Sequence, residues 1–370
     1  MVIVRQGQVT KLLKDLPELQ EVLVRLDGET QEQPAYNYPL LNRRLEPGES
    51  VKLNTVAVQL GLGTGGRHFV IPDYQGVAET KPLGHIMKLR YTPWQFPVLA
   101  AEEETSPYHE SLREADSLAG IPVVAAPLHS MLPGVIAGFR QTLARPAKVA
   151  YVMTDGAALP LALSDLVRDL RQKQLLDLTV TAGQAFGGDL EAVSIPAALL
   201  AARQAIEADL IVVAMGPGIV GTGTKYGFSG IEQAWVIDLI AHLGGLPVVV
   251  PRLSMADRRE RHQGLSHHSR TILELANQPA LLPFSRVIPE RFQAKLMATL
   301  QATELLVRHH WYETCETPVE QVFATEALRV KSMGRTVAED PVFFQATVAA
   351  GYLAAKAYEH ALDSLSSLQA

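Results

Sequence analysis

The sequence predicts an α/β protein, a doubly wound and mostly parallel sheet preceded by a small antiparallel β domain. Three observations carry this. From about residue 96 onward, short and nearly all-apolar runs alternate with stretches of helical periodicity, the pattern of a parallel sheet covered by helices on both faces. Before residue 80 the pattern is different: strand-like pieces separated by turn signals. Third, the β-branched run 210–215 empties directly into Gly216-Pro217-Gly218-Ile219-Val220-Gly221-Thr222-Gly223-Thr224-Lys225, a strand-then-glycine-loop junction of the kind that binds small molecules in open α/β sheets.

Taken in chain order, Leu12-Leu13, Val22-Leu23-Val24-Arg25-Leu26, Val51-Lys52-Leu53 and Val56-Ala57-Val58 read as strands, with Asp27-Gly28 and Pro47-Gly48 as turns. They make a barrel-like domain over residues 1–80. Gly61-Leu62-Gly63-Thr64-Gly65-Gly66 lies between this last piece and Phe69-Val70-Ile71, so it reads as a hairpin or linking loop; no helix N-terminus follows to supply a dipole. Residues 81–96 form a connector. The α/β domain then spans residues 97–370, with strands at 97–101, 122–126, 148–153, 177–182, 210–215 and 246–251, and a further one within 281–288.

Helical faces lie between them. Val135, Ile136, Phe139 and Leu143 share one, Leu163, Leu166, Val167 and Leu170 another, and Ile195, Leu199 and Ile206 a third, with Ser194 as N-cap and Pro196 in the first turn. A helix begins near Ser229, where Ser229-Gly230-Ile231-Glu232 has capping-box spacing, and Gly244-Gly245 stops it. Residues 292–306 are helical, and Pro341 opens a long alanine-rich helix to about Leu362. Its stripe of Phe343, Phe344, Val348 and Tyr352 is core in the commoner case and a homo-oligomer contact in the other.

Composition narrows the function classes. The 370 residues are 47% hydrophobic and carry a net charge of −6, which suits a packed protein with no general attraction to nucleic acid. One cysteine excludes an internal disulfide framework and fits a reducing cytosol; following Trp311-Tyr312, Cys315 reads as a buried structural thiol. The start lacks a signal-peptide pattern, and no run of about eighteen apolar residues is present to cross a membrane. A cytoplasmic protein with a small-molecule partner is the expectation.

Four strand ends deliver polar or glycine-rich loops toward one sheet edge: His129-Ser130, Thr154-Asp155-Gly156, Gly187-Gly188-Asp189, and Gly216 to Lys225. A shared crevice there is the site expectation. Backbone amides of Gly216, Gly218, Gly221, Thr222, Gly223 and Thr224, with Lys225, would hold an anion. Asp155 would hold Mg²⁺ or a ribose hydroxyl, or move a proton, or simply cap the next helix. Residues 252–270 carry Arg252, Arg258, Arg259, Arg261 and Arg270 with His262, His267 and His268, and would overhang the crevice as an anion-closing arm or lie as a solvated loop. His268 is the second candidate proton carrier. Adjacent histidines ordinarily diverge, so one of the pair would face the site, and no His-x-x-x-His or Cys-x-x-Cys spacing marks a metal centre.

Named motifs fit poorly. Gly216-x-Gly218-x-x-Gly221 spells the dinucleotide fingerprint, but the helix does not begin inside it and Pro251-Arg252 stands where the acidic residue belongs, which would favour NADP over NAD. Gly218 and Gly223 have Walker spacing, yet Thr224 occupies the lysine position. Gly-x-Ser-x-Gly is absent. The leading function is an enzyme of group transfer or hydrolysis on a phosphorylated or anionic small molecule or nucleotide, with cofactors confined to a nucleotide or Mg²⁺. A non-catalytic ligand sensor or scaffold is the alternative, and an NADP-dependent oxidoreductase the third.

Gly61 to Gly66 with Phe69-Val70, Gly216-Pro217-Gly218 through Gly223-Thr224, Ser266-His267-His268, Met333-Gly334-Arg335 and Glu339-Asp340-Pro341 together resemble a bacterial family defined as a domain of unknown function. The resemblance spans nearly the whole chain. It implies a bacterial cytosolic protein and marks the glycine loop and the Ser-His-His segment as family features, without implying a reaction.

Overall fold

A computed structural model describes residues 2–62, 65–73, 84–143 and 145–368. The chain divides into two compact units, Met1–Pro82 with Tyr91–Phe96, and Leu83–Arg90 with Pro97–Ala370.

The smaller unit is a closed five-stranded barrel of Val4–Asp15 (β1), Gln20–Leu26 (β2), Glu32–Asn37 (β3), Ser50–Asn54 (β4) and His68–Ile71 (β5), in the order β1-β2-β3-β5-β4. Only β3 and β5 run parallel. Alternation along β2 sends Val22, Val24 and Leu26 inward, where they meet Val9, Ala35, Leu53 and Val70. Gly28 and Gly48 take positive φ in the two turns that Asp27-Gly28 and Pro47-Gly48 mark. Val56-Ala57-Val58 is not a strand: Val56–Gln59 is a helical turn, because Asn54 Oδ1 accepts the Val56 N–H and Thr55 Oγ accepts from the Gln59 side chain, which closes the backbone locally. In the neighbouring glycine segment, Gly63 and Thr64 lie outside the described residues.

The larger unit holds an eight-stranded, fully parallel sheet. Its strands are Pro122–Ala125 (β6), Val149–Thr154 (β7), Leu178–Ala182 (β8), Leu190–Ala192 (β9), Leu210–Met215 (β10), Leu246–Val249 (β11), Leu281–Ser285 (β12) and His310–Thr314 (β13), in the order β9-β8-β7-β10-β6-β11-β12-β13. Strand β10 sits centrally, with Val212 opposite both Tyr151 and Val124. The chain moves outward from β7 to β9, returns through β10, crosses β6 and continues to β13. Its direction therefore reverses around β10 and β6, and the loops leaving β10 and β11 flank the switch, where open α/β sheets bind ligands.

Alternate strand residues feed two cores. Leu132–Thr142 (α1), Asp165–Gln172 (α2) and Pro341–Tyr358 (α7) cover one face with Val124, Tyr151 and Val212. Ile195–Ile206 (α3), Gln233–His242 (α4), His267–Leu275 (α5) and Glu290–Gln301 (α6) cover the other with Val123, Val152 and Val213. Ser194 caps α3 as expected, accepting from Ala197 N–H. Phe343, Phe344 and Val348 are core. Helices α1 and α7 cross closely because a Cβ at Gly351 would fall 2.1 Å from the Val135 carbonyl oxygen, and one at Gly138 2.4 Å from that of Val348.

Three further expectations are corrected. The strand expected at 97–101 is Phe96–Val98, which pairs with Ile86–Lys88 outside the large sheet; Ala100 and Ala101 meet that sheet at Glu191, where the chain turns as Glu103 accepts the Ala100 N–H. The helix after the glycine loop starts at Gln233, behind a 3-10 turn at Ser229–Glu232; no capping box forms, because Ser229 Oγ accepts from Val220 N–H and Glu232 is held by Thr154. Cys315 is exposed, just past the end of β13. Two strands were not anticipated: residues 190–192, too short for periodicity to show, and His310–Thr314, whose polar ends hide it.

Candidate functional site

The glycine segment leaves β10 and folds back on itself. At Gly216 a Cβ would lie 2.4 Å from the Ala158 carbonyl oxygen, so glycine lets the loop pass beside the end of β7. Residues 220–229 then form a hairpin. Gly221 bridges Phe228, Thr222 N–H donates to Gly227 O at 2.8 Å, and Ser229 N–H donates to Val220 O at 3.0 Å. The threonine hydroxyls close its tip: Thr222 Oγ donates to Gly227 O (3.1 Å), and Thr224 Oγ accepts the Gly227 N–H (3.1 Å). Gly218 and Gly223 have φ of +105° and +83°, where other residues are strained. Lys225 Nζ pairs with Glu274 of α5 at 3.0 Å. Of the donors expected to mark an anion loop, the Thr222 amide and hydroxyl and Lys225 thus have internal partners.

The hairpin lies over the second predicted segment. A Cβ at Gly221 would sit 3.6 Å from His268 Cε1 and Nε2, and one at Gly223 3.7 Å from the Arg261 guanidinium. Phe228 stacks on His268 at 3.9 Å and 2°. Residues 252–270 are themselves looped by pairing Leu253–Ser254 with Gly264–Leu265. Ser266 caps α5 by accepting from His268 N–H, and its hydroxyl also meets His262 Nδ1 at 2.7 Å. The rings of His262, His267 and His268 converge, with centroids 4.3–4.9 Å apart. The expected divergence of His267 and His268 is therefore wrong. They occupy the first turn of α5, where neighbours differ by about 100° rather than the 180° of a strand.

Behind the histidines, three guanidiniums gather on one carboxylate. Arg252 Nη2 lies 3.2 Å, Arg259 Nε 3.1 Å and Arg335 Nη2 3.5 Å from Asp257. Arg335 also donates to Asp340 at 3.1 Å; Asp340 accepts from Ser254 Oγ (2.6 Å) and Met255 N–H (3.3 Å). Met333 Sδ receives Arg252 Nη2 at 3.2 Å. Arg258 is exposed, with no ion pair among the described residues. The cluster holds three cations against two carboxylates, with Arg261 at its edge.

Burial first, and that surplus second, set the ionisation of the cluster. Burial and the Arg252 and Arg259 charges push His262 down to about 3. Burial, His267 and Arg252 push His268 down to about 3 as well. Burial and the charges of Arg261, Arg252 and Arg259 lower His267. Burial lowers Arg252 to about 10; Asp257 opposes this, while Arg259 and Arg335 add to it. At Asp257 burial works upward but is overcome by the Arg259 hydrogen bonds and the arginine charges, which hold the carboxyl below its usual range. The three imidazoles are neutral at pH 7, each able to accept a proton or a metal ion.

Asp155 and His129 make no contact with this cluster among the described residues. Asp155 accepts the Gln184 N–H at 2.9 Å, at the end of β8. His129 is bound between Tyr151 Oη (3.1 Å) and Ser164 Oγ (2.7 Å), and burial pushes it down to about 4. Sequence reasoning missed Glu232, which packs over Gly156 and is pushed up to about 6 by burial, with the Asp155 charge adding to the rise. It also gave no role to Asp257. Arg335 and Asp340 did carry a signal, as members of the motif segments. Three of those segments, around 266–268, 333–335 and 339–341, converge with the glycine hairpin on one cluster although up to about 120 residues separate them. A cavity of 1590 Å³ elsewhere in the unit, lined by Leu166, Phe323, Leu328 and Val337, contains none of these residues.

The chain belongs to the protein family described as Protein of unknown function (DUF3866), which matches residues 34–351. No curated protein matches it. Among the described residues no helix is long and apolar enough to cross a membrane.

Proposed function

We propose that this protein is a bacterial cytoplasmic enzyme that binds a compact anion, a phosphorylated small molecule or nucleotide, at the arginine–histidine cluster and performs hydrolysis or group transfer on it. One observation carries the reading: three guanidiniums converge on a single carboxylate beside three neutral imidazoles at the switch of the sheet. An anion there would offset the surplus charge, and guanidiniums suit it because they hold phosphate or carboxylate through paired N–H groups. His268, in contact with the glycine hairpin, would act as general base once a bound anion offsets the charges that, with burial, hold it down to about 3. Gly221 and Gly223, with Thr222, Thr224 and Lys225, form the strap over that base, and Arg252 sets the field beneath it.

Asp155 turns to the Gln184 amide and not to the histidines, which favours a second reading in which the same anion is held as a signal without turnover. Support for NADP is weaker: Arg252 is committed to Asp257 and Met333.

Calorimetry with inorganic phosphate, a nucleoside triphosphate and a sugar phosphate tests the proposal. Salt-sensitive binding is expected, weakened at least about tenfold by Arg259→Gln, while the half-exposed Arg259 leaves stability within about 1 kcal/mol of the parent. Equal affinity in parent and variant would remove the arginine cluster as the binding site. Phosphate release from a bound ester separates enzyme from sensor.

A further inference from the structure

We propose that His262, His267 and His268 form a three-histidine site for a divalent transition-metal ion of the zinc type, with at least one coordination position left for water or an anion. This deepens the function proposed above and rests on it in one respect, that the anion drawn by the arginines would complete the coordination.

The site is built from two short segments. His262 ends the 3-10 turn Glu260–His262, and His267 and His268 open α5. One hydroxyl locks both segments: Ser266 Oγ fixes the helix start through the His268 amide and lies 2.7 Å from His262 Nδ1. A second-sphere partner of this kind orients a ligating imidazole. One ring nitrogen from each histidine lies within 4.8 Å of the other two. Tetrahedral coordination at a metal–nitrogen distance of about 2.0–2.1 Å needs these atoms about 3.3 Å apart, so side-chain rotations closing about 1.5 Å complete the triad.

The second observation is independent of proximity. His267 Nε2 and His268 Nδ1 are buried with no hydrogen-bond partner, and His268 is 92% buried. Buried polar atoms are nearly always satisfied, and each orphan costs about 1–3 kcal/mol. Stacking on Phe228 accounts for the burial of the His268 ring but not for its idle nitrogen. A metal ion would engage such lone pairs. Three imidazoles without a carboxylate select zinc, cobalt, nickel or copper over magnesium and calcium, and three protein ligands are the number of a catalytic rather than a closed structural site.

The arginines oppose a bare dication, but they also keep the imidazoles unprotonated, the form that binds metal. They favour an anionic fourth ligand as well. Such an ion would acidify a bound water and so supply the nucleophile in place of general-base action by His268, which as a ligand would no longer be that base.

The full chain, stripped with a chelator, is titrated with Co²⁺ and followed by visible absorption, with Zn²⁺ followed by calorimetry. One ion per chain is expected, with the strong d–d bands of a tetrahedral site. His262→Ala and His268→Ala should each weaken binding at least about tenfold, as even outer-sphere losses do. His267→Cys keeps a ligating atom, so it should retain the ion and gain a thiolate-to-cobalt charge-transfer band; circular dichroism confirms that each variant folds. Absence of Co²⁺ binding in the parent, or binding unchanged in folded alanine variants, overturns the metal site. Phosphate affinity measured in chelator reports separately on the arginines: if it persists while cobalt fails, only the metal site falls, and if cobalt binds while phosphate does not, only the anion reading falls.

Discussion

Two buried ionic centres in the larger unit follow opposite arithmetic. At the first, Lys88 is wholly buried and lies 3.0 Å from Glu191 of β9. Lys88 also donates to the Gly183 carbonyl at 2.9 Å, and Glu191 accepts from Thr181 Oγ and Gly187 N–H at 2.7 Å each. One charge meets one charge. At the second, Arg252, Arg259 and Arg335 share Asp257 and Asp340, and one cation is left over beside histidines that carry none. A balanced buried pair is complete and can only hold structure together. An unbalanced one is charged toward whatever approaches, and it is the one that stands at the switch of the sheet.

The largest effect should separate the two centres outright. Lys88→Met leaves Glu191 buried without a counter-charge and should cost about 3–5 kcal/mol in chemical denaturation, while adding Glu191→Leu should recover most of that. Phosphate affinity should not change in the folded double variant. A change there would mean that the pair serves binding and that the contrast is false.

Acid should act with opposite sign on the two centres. The imidazoles of His262 and His268 fall to about 3 in the folded chain, against about 6.5 when unfolded. The unfolded chain therefore binds protons first, and their contribution to stability falls as pH drops from about 6.5 toward 3. Glu191 is raised, chiefly by burial, so the folded state protonates first there and acid does not weaken folding through it. In the chelated protein, the His262 and His268 NMR signals should titrate at least about 2 pH units below 6.5, and saturating phosphate should move them upward. Midpoints near 6.5 would show that neither burial nor surplus charge acts on these two imidazoles.

The smallest effect concerns Lys225. Lys225 is exposed where it pairs with Glu274, so Lys225→Gln should leave the denaturation midpoint unchanged and phosphate affinity within about twofold. A tenfold loss would move the anion onto the hairpin tip and make the arginine cluster secondary.

Much of the fold was legible because its signals are local. Two-sided burial makes β6, β7, β8 and β10 wholly buried and mostly apolar, and Ser194 and Pro341 mark helix starts within a few residues of themselves. Residues 56–58 misled for the same local reason, since β-branched residues suited to a strand were drawn into a turn by the side chains of Asn54 and Thr55. The site was legible only in part. The glycine hairpin, His268 and Arg252 could be named, but their relation could not.

What the amino-acid order determined by itself is the alternation of elements, the strand that ends in glycines, and the concentration of arginine and histidine after β11. Only tertiary structure decided that Asp257 collects Arg252, Arg259 and Arg335, that His262 swings in beside His267 and His268, and that Asp155 turns away to Gln184. Periodicity and capping act over a few residues, whereas charge and proton affinity depend on every group within several ångströms, whatever its distance along the chain.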